Sequence, residues 1–122
     1  MNLELPALTV KSEIVELKTK RIMLIHFVGS ISNNNSMQAS RAVPQVFESE
    51  VYDVILGMEK LEYINSVGVA LLLSLVKTVD QKKGRLVIGG VHTFLENILK
   101  LMDIPKKVPI YQTLEEAKAS FS

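Results

Sequence analysis

The sequence predicts an α/β sandwich whose mixed sheet has four to five strands, with helices mainly on one face. Three observations carry this. The first is an opening third rich in β-branched and apolar residues from Leu8 to Val28. The second is the alternation of strand-like and helix-like segments from Val51 to the C-terminal residues, which calls for crossover connections and a partly parallel sheet. The third is length: 122 residues, 48% of them apolar, suffice for one core in one domain without disulfide or metal staples.

Leu8 to Leu17 and Arg21 to Val28 read as two antiparallel strands joined by the charged Lys18-Thr19-Lys20. In the second, Ile22, Leu24, His26 and Val28 alternate with Met23, Ile25 and Phe27, so both faces are apolar and the strand is expected to be central. Ser30 to Ser36, with three consecutive asparagines, reads as a polar loop or a binding rim. A helix is expected from about Ser36 to Glu50, disturbed where Pro44 removes a backbone donor. Val51 to Met58 is a strand, Ser66 to Lys83 a helix stopped by Gly84, Arg85 to Ile88 a strand, and His92 to Met102 a helix. Lys107 to Tyr111 completes the sheet, and Thr113-Leu114-Glu115-Glu116 has capping-box spacing for a last helix.

Composition narrows function by exclusion. A net charge of +1 gives no electrostatic reason to expect nucleic acid or anionic lipid as a partner, and with no cysteine there is neither thiol nucleophile nor thiolate metal site. No basic and apolar leader opens the chain, and no apolar run reaches the roughly 18 residues that span a bilayer, so a cytoplasmic protein is expected. His26 and His92 have no second ligand at metal spacing, and His26 reads as a core histidine. Gly89-Gly90 lacks both the dinucleotide and the phosphate-loop patterns and reads as a turn. No catalytic residue, metal or cofactor is implied. A hydrolase using Ser66 as nucleophile lacks the Gly-x-Ser-x-Gly elbow and a paired histidine.

Asn65-Ser66-Val67-Gly68 is the segment with chemical potential. Asn65 stands where a helix N-cap is wanted, which puts Ser66 in the first turn. A phosphate on Ser66 would meet free backbone N–H groups and the positive end of the helix dipole. Gly68, costly in a helix by about 1 kcal/mol relative to alanine, asks for a close approach. At 100° per residue Val69, Leu72, Leu73, Val76 and Val79 form a stripe for the sheet, while Val67, Leu71 and Leu75 fall on the far side, open either to a partner protein or to cover by another helix of the same domain.

Four segments, Phe27-Val28-Gly29, Tyr63 to Val69, Gly84 to Ile88 and Ile110 to Ala117, follow one another in the order and at the separations of a known family. From about Leu8 to Phe121 the chain resembles a STAS domain, the family of bacterial anti-sigma factor antagonists and of the cytoplasmic domains of sulfate transporters. The resemblance implies an antagonist that binds an anti-sigma factor serine kinase and loses that binding when Ser66 is phosphorylated, thereby controlling sigma factor release and transcription. Together with the far face of the helix, this makes Ser32, Asn33, Asn34, Asn65, Val67, Gly68, Leu71 and Leu75 the expected partner contacts. The other role the resemblance implies is an unphosphorylated interaction subunit of a stress-sensing scaffold or a lipid-transport ATPase complex. Asn65 stands where the family commonly has aspartate, Gly57 and Ser32 where acidic residues are frequent, and Asp103 near a frequent glycine.

Overall fold

A computed structural model describes residues 1–101 and 108–121. Its strands are β1 (Asn2–Leu5), β2 (Leu8–Glu16), β3 (Arg21–Ile31), β4 (Asp53–Ile64), β5 (Arg85–Gly89) and β6 (Ile110–Tyr111). The helices are α1 (Ser36–Ala42), α2 (Ser66–Gln81), α3 (Thr93–Leu101) and α4 (Leu114–Ala119), with a 3₁₀ helix at Val43–Ser49. The expected ends of two elements, Met102 and Lys107, and the position Asp103 lie outside the described residues.

The six strands lie side by side in chain order. β1, β2 and β3 pair antiparallel, and β3 to β6 pair parallel. The class is the expected one, but the sheet has six strands rather than four to five. The extra strand is β1, a four-residue piece whose Leu3 and Leu5 pack on the core while Asn2 and Glu4 face out. It pairs with β2 through the two-residue connection Pro6-Ala7, in which Ala7 takes φ 59°. β4 is also longer than expected, continuing past Met58 to Ile64.

Alternation along β3 divides the core in two. Met23, Ile25 and Phe27 join Val54, Leu56 and Met58 under α1, the 3₁₀ helix, α2 and α3. On the other face, Ile22 and Leu24 join Ile55 and Val87 under Ala117 and Phe121. Because the parallel strands follow in order, each crossover steps in the same direction and sets its helix on the same face. Among the described helices only α4 lies on the second face. A β-carbon on Gly89 would lie 2.9 Å from Ala117 Cβ, so the bare glycine lets α4 approach the sheet.

Pro44 acts as expected: the α-helix stops at Ala42 and a 3₁₀ helix with Pro44 in its first turn takes over. α2 ends in a Schellman arrangement, Gly84 N–H to Val79 O at 2.9 Å and Lys83 N–H to Asp80 O at 3.1 Å. The left-handed residue is Lys83, φ 60°, rather than Gly84. Thr113 caps α4, its hydroxyl oxygen accepting from Glu116 N–H at 3.1 Å.

Two neighbouring polar side chains, Asn35 and Ser36, are buried at the join of these elements. Asn35, 1% exposed, donates through Nδ2 to Pro6 O (2.6 Å) and Ser30 O (2.9 Å) and accepts from Ser32 N–H at 3.1 Å. It ties the β1–β2 turn to the loop leaving β3. Asn35→Asp keeps the shape but aims a second acceptor at two carbonyls. It is expected to cost about 2–4 kcal/mol in urea unfolding, whereas Asn34→Asp on the exposed neighbour stays within about 0.5 kcal/mol.

Candidate functional site

The site lies at the C-terminal ends of the neighbouring parallel strands β3 and β4, whose last rung pairs Ile31 with Ile64. Open parallel sheets place ligand and partner sites at such ends, where the loops leave for the helices. Asn65 is the first residue past β4. Its N–H donates to Ile31 O at 2.9 Å, so the turn continues the sheet by one bond before the helix begins.

Asn65 is also the N-cap of α2, extended at φ −91° and ψ 179°, with its side-chain oxygen accepting from Gly68 N–H at 2.8 Å. The other end of the carboxamide reaches across to the β3–α1 loop, Nδ2 to Asn33 Oδ1 at 3.2 Å and to Ser36 Oγ at 3.5 Å. One side chain therefore joins the two loops that leave adjacent strands.

Ser66 follows as the first residue of α2 and is exposed. The first intrahelical bond runs from Val69 N–H to Asn65 O at 3.0 Å, and Gly68 N–H is taken by the cap. The N–H groups of Ser66 and Val67 have no protein acceptor among the described residues, and the first turn carries no acidic side chain. Free donors and the dipole of a 16-residue helix thus surround an exposed hydroxyl.

Gly68 has a steric role. A β-carbon there would lie 2.6 Å from Ile64 Cγ1 and 2.7 Å from Ile31 Cγ2, on side chains 3% and 0% exposed that cannot move aside. The glycine lets the first turn of α2 sit on the last rung of β3 and β4, and so fixes where Ser66 emerges.

Of the expected partner residues, Ser32, Asn33, Asn34 and Asn65 line one open cleft of about 270 Å³ beside Ser66. Val67 is half-buried and Gly68 buried. Leu71 and Leu75 are a correction: at 3% and 1% exposure they belong to the core and offer no outer stripe. α2 packs against α1 as well as the sheet. Its buried arc from Leu71 to Val69 is about 160° wide at 100° per residue. Leu73, expected at the sheet, is only partly buried. Sequence reading did not single out Tyr63 or Ser36. Tyr63 is 48% exposed and lines the cleft, its one signal being an aromatic between buried Leu61 and Ile64. His92 caps α3 rather than a site, with Nδ1 accepting from Leu95 N–H at 3.4 Å and Nε2 lying 3.1 Å from Leu61 O.

The family model for the STAS domain matches residues 13–117. The chain belongs to the STAS domain family. Solved STAS-like structures share the fold at low identity. SpoIIAA, the Bacillus cell fate determinant, in its phosphorylated form superposes with a TM-score of 0.64 at 18% identity, over 92% of this chain and 100% of that one. A protein from Thermotoga maritima proposed to be an anti-sigma factor antagonist gives a TM-score of 0.72 at 17% identity, over 91% and 92%. A component of the stressosome, a signal integration and transduction hub, gives 0.61 at 11%, over 88% and 94%. No curated protein sequence matches this STAS domain. No helix among its described residues is long and apolar enough to cross a membrane.

Gly68→Ala in this STAS domain adds a better helix former but forces two buried isoleucines apart. We expect a net loss of about 1–2 kcal/mol in urea unfolding, despite the roughly 1 kcal/mol that alanine gains over glycine in a free helix. A stabilised variant would remove the close-approach reading.

Proposed function

We propose that the protein is an anti-sigma factor antagonist that docks on an anti-sigma factor serine kinase and is switched off by phosphorylation of Ser66. The observation that carries this reading is the setting of Ser66: exposed, in the first turn of α2, beside two uncommitted N–H groups and an uncharged cleft. Membership of the STAS family supports it, as does the likeness of the fold to SpoIIAA, which has been solved in a phosphorylated form.

The chemistry of the switch follows from charge. A phosphoserine adds about −1.5 to −2 at neutral pH. Within the free protein the first turn accommodates it, because the added oxygens accept from N–H groups at the positive helix end and no first-turn carboxylate repels them. At a docking surface the same charge has to be desolvated. The cleft of Ser32, Asn33, Asn34, Tyr63 and Asn65 suits a partner through amide and hydroxyl bonding, which a dianion alongside disrupts. Phosphorylation thus blocks docking without unfolding the domain. Transfer forms an Oγ–P bond as the γ-phosphoryl leaves ATP, ADP departs and the hydroxyl proton is released. Asn65 in the family's common aspartate position keeps the cap bond and removes a negative charge next to the acceptor.

The stressosome likeness favours a second reading, a scaffold subunit that binds through the same cleft and is not phosphorylated. Ser66 separates the two. With ATP and the serine kinase of its own genome, the native chain is expected to take up one phosphate and Ser66→Ala none, with kinase binding kept. Ser66→Asp is expected to weaken that binding at least about tenfold. Undiminished binding by the Asp variant overturns the switch. No phosphate uptake together with a stable multi-subunit complex in a pull-down supports the scaffold.

A further inference from the structure

A second cavity, of about 270 Å³, opens on the face of the sheet opposite α2, beside the start of α4, whose Leu114 Cδ2 would lie 3.4 Å from a β-carbon on Gly57 at the cavity's edge. Sequence reading assigned His26 to the core, yet it is only half-buried and lines this cavity. Around it stand Lys11, Val28, Gly57, Glu59 and Lys60.

Three features of the backbone assemble this group. Lys11 lies directly across from His26 in the antiparallel β2–β3 pair, so both side chains point to the same face. Gly57 is the partner of His26 on β4, and a β-carbon there would lie 3.0 Å from His26 Nδ1, so the missing side chain provides the space for the imidazole. The third is a bulge. His26 pairs with Gly57 but Val28 pairs with Lys60, so β4 spends three residues where β3 spends two. In regular alternation from Gly57, position 60 faces the helices. The extra residue instead brings Lys60 into register with Val28, on the His26 side, while Met58 and Leu61 stay in the core under the helices. Bulges that re-aim a side chain are characteristic of binding sites.

Neither Lys11 nor Lys60 makes an ion pair, and His26 makes no hydrogen bond, among the described residues. Glu59 also lines the cavity, but its stem lies against Gly90. We propose that this cavity binds a small molecule carrying a phosphate group. The two ammonium groups would receive the anion, an imidazole N–H would donate to one oxygen, and Val28 would form an apolar wall. The site is independent of Ser66, from which the sheet separates it.

The test is a titration of the 15N-labelled full chain with inorganic phosphate and with glycerol 3-phosphate, at constant ionic strength with chloride as control. The amides of Lys11, His26, Gly57 and Lys60 are expected to shift along a saturating curve with either probe. Lys11→Glu and Lys60→Glu should each weaken binding about tenfold or more, and Glu59→Gln should tighten it, with the urea midpoints of all three near that of the native chain. Shifts that chloride reproduces, that rise without saturating, or that persist unchanged in the double Lys11→Glu, Lys60→Glu variant overturn the proposal.

Discussion

The geometry of the site depends on a buried carboxamide at the base of the β3–α1 loop, that of Asn35. Asn35 satisfies two carbonyls and one N–H from two neighbouring segments, the Pro6 turn and the Ser30–Ser32 strand exit, and adds to the backbone bond from Ser30 N–H to Ala7 O that already joins them. Left unpaired in a closed space, each of these groups would cost about 1–3 kcal/mol. Pairing all three with one residue makes the loop after β3 rigid rather than merely polar. Ser36 and Asn33 are then held where the Asn65 side chain meets them. Asn65 in turn caps α2 and sets the position of Ser66. The apparently monotonous Asn33-Asn34-Asn35 run contains one structural residue and two exposed ones.

That division was not readable in the sequence. The partners of Asn35 include Pro6, 29 positions away, and no local pattern marks such a pair. What was readable was periodic or local. The two faces of β3, the Asn65 cap, the effect of Pro44 and the Thr113 cap all follow from neighbours within a turn or a strand. β1 escaped because Asn2-Leu3-Glu4-Leu5 is a short polar-apolar alternation before a proline, stable only with β2 beside it. The outward placement of Leu71 and Leu75 failed for a related reason. Periodicity locates an apolar stripe, but its centre and width depend on where α1 packs. Lys60 was hidden because a bulge is a property of two strands in register, and Gly57 because its purpose is the ring of His26 on the next strand.

Two glycines show how close packing and chemistry share the same device. Gly68 brings a helix start down onto two strand ends, and Gly57 opens a hollow beside an imidazole. In each case the absent methyl group determines where a neighbouring functional group lies. Both sit on or just after β4, the long central strand whose N-terminal half anchors the core and whose irregular C-terminal half carries Lys60, Tyr63 and the lead into Ser66. Irregular pairing is concentrated where the surface chemistry is.

The chain-order sheet has a consequence for assembly. Every strand pairs with the strand that precedes it, so during synthesis each new segment finds its template already made, and no earlier pairing has to open to admit a later one. The helices that cover the first face are interleaved with those strands and arrive in step. The second face is different. Ile22, Leu24, Ile55 and Val87 form an apolar surface whose cover, Ala117 and Phe121, follows all six strands in the chain. Until then the growing chain presents a greasy sheet to its surroundings, so this is the stage at which it would be most prone to aggregate and most dependent on a chaperone.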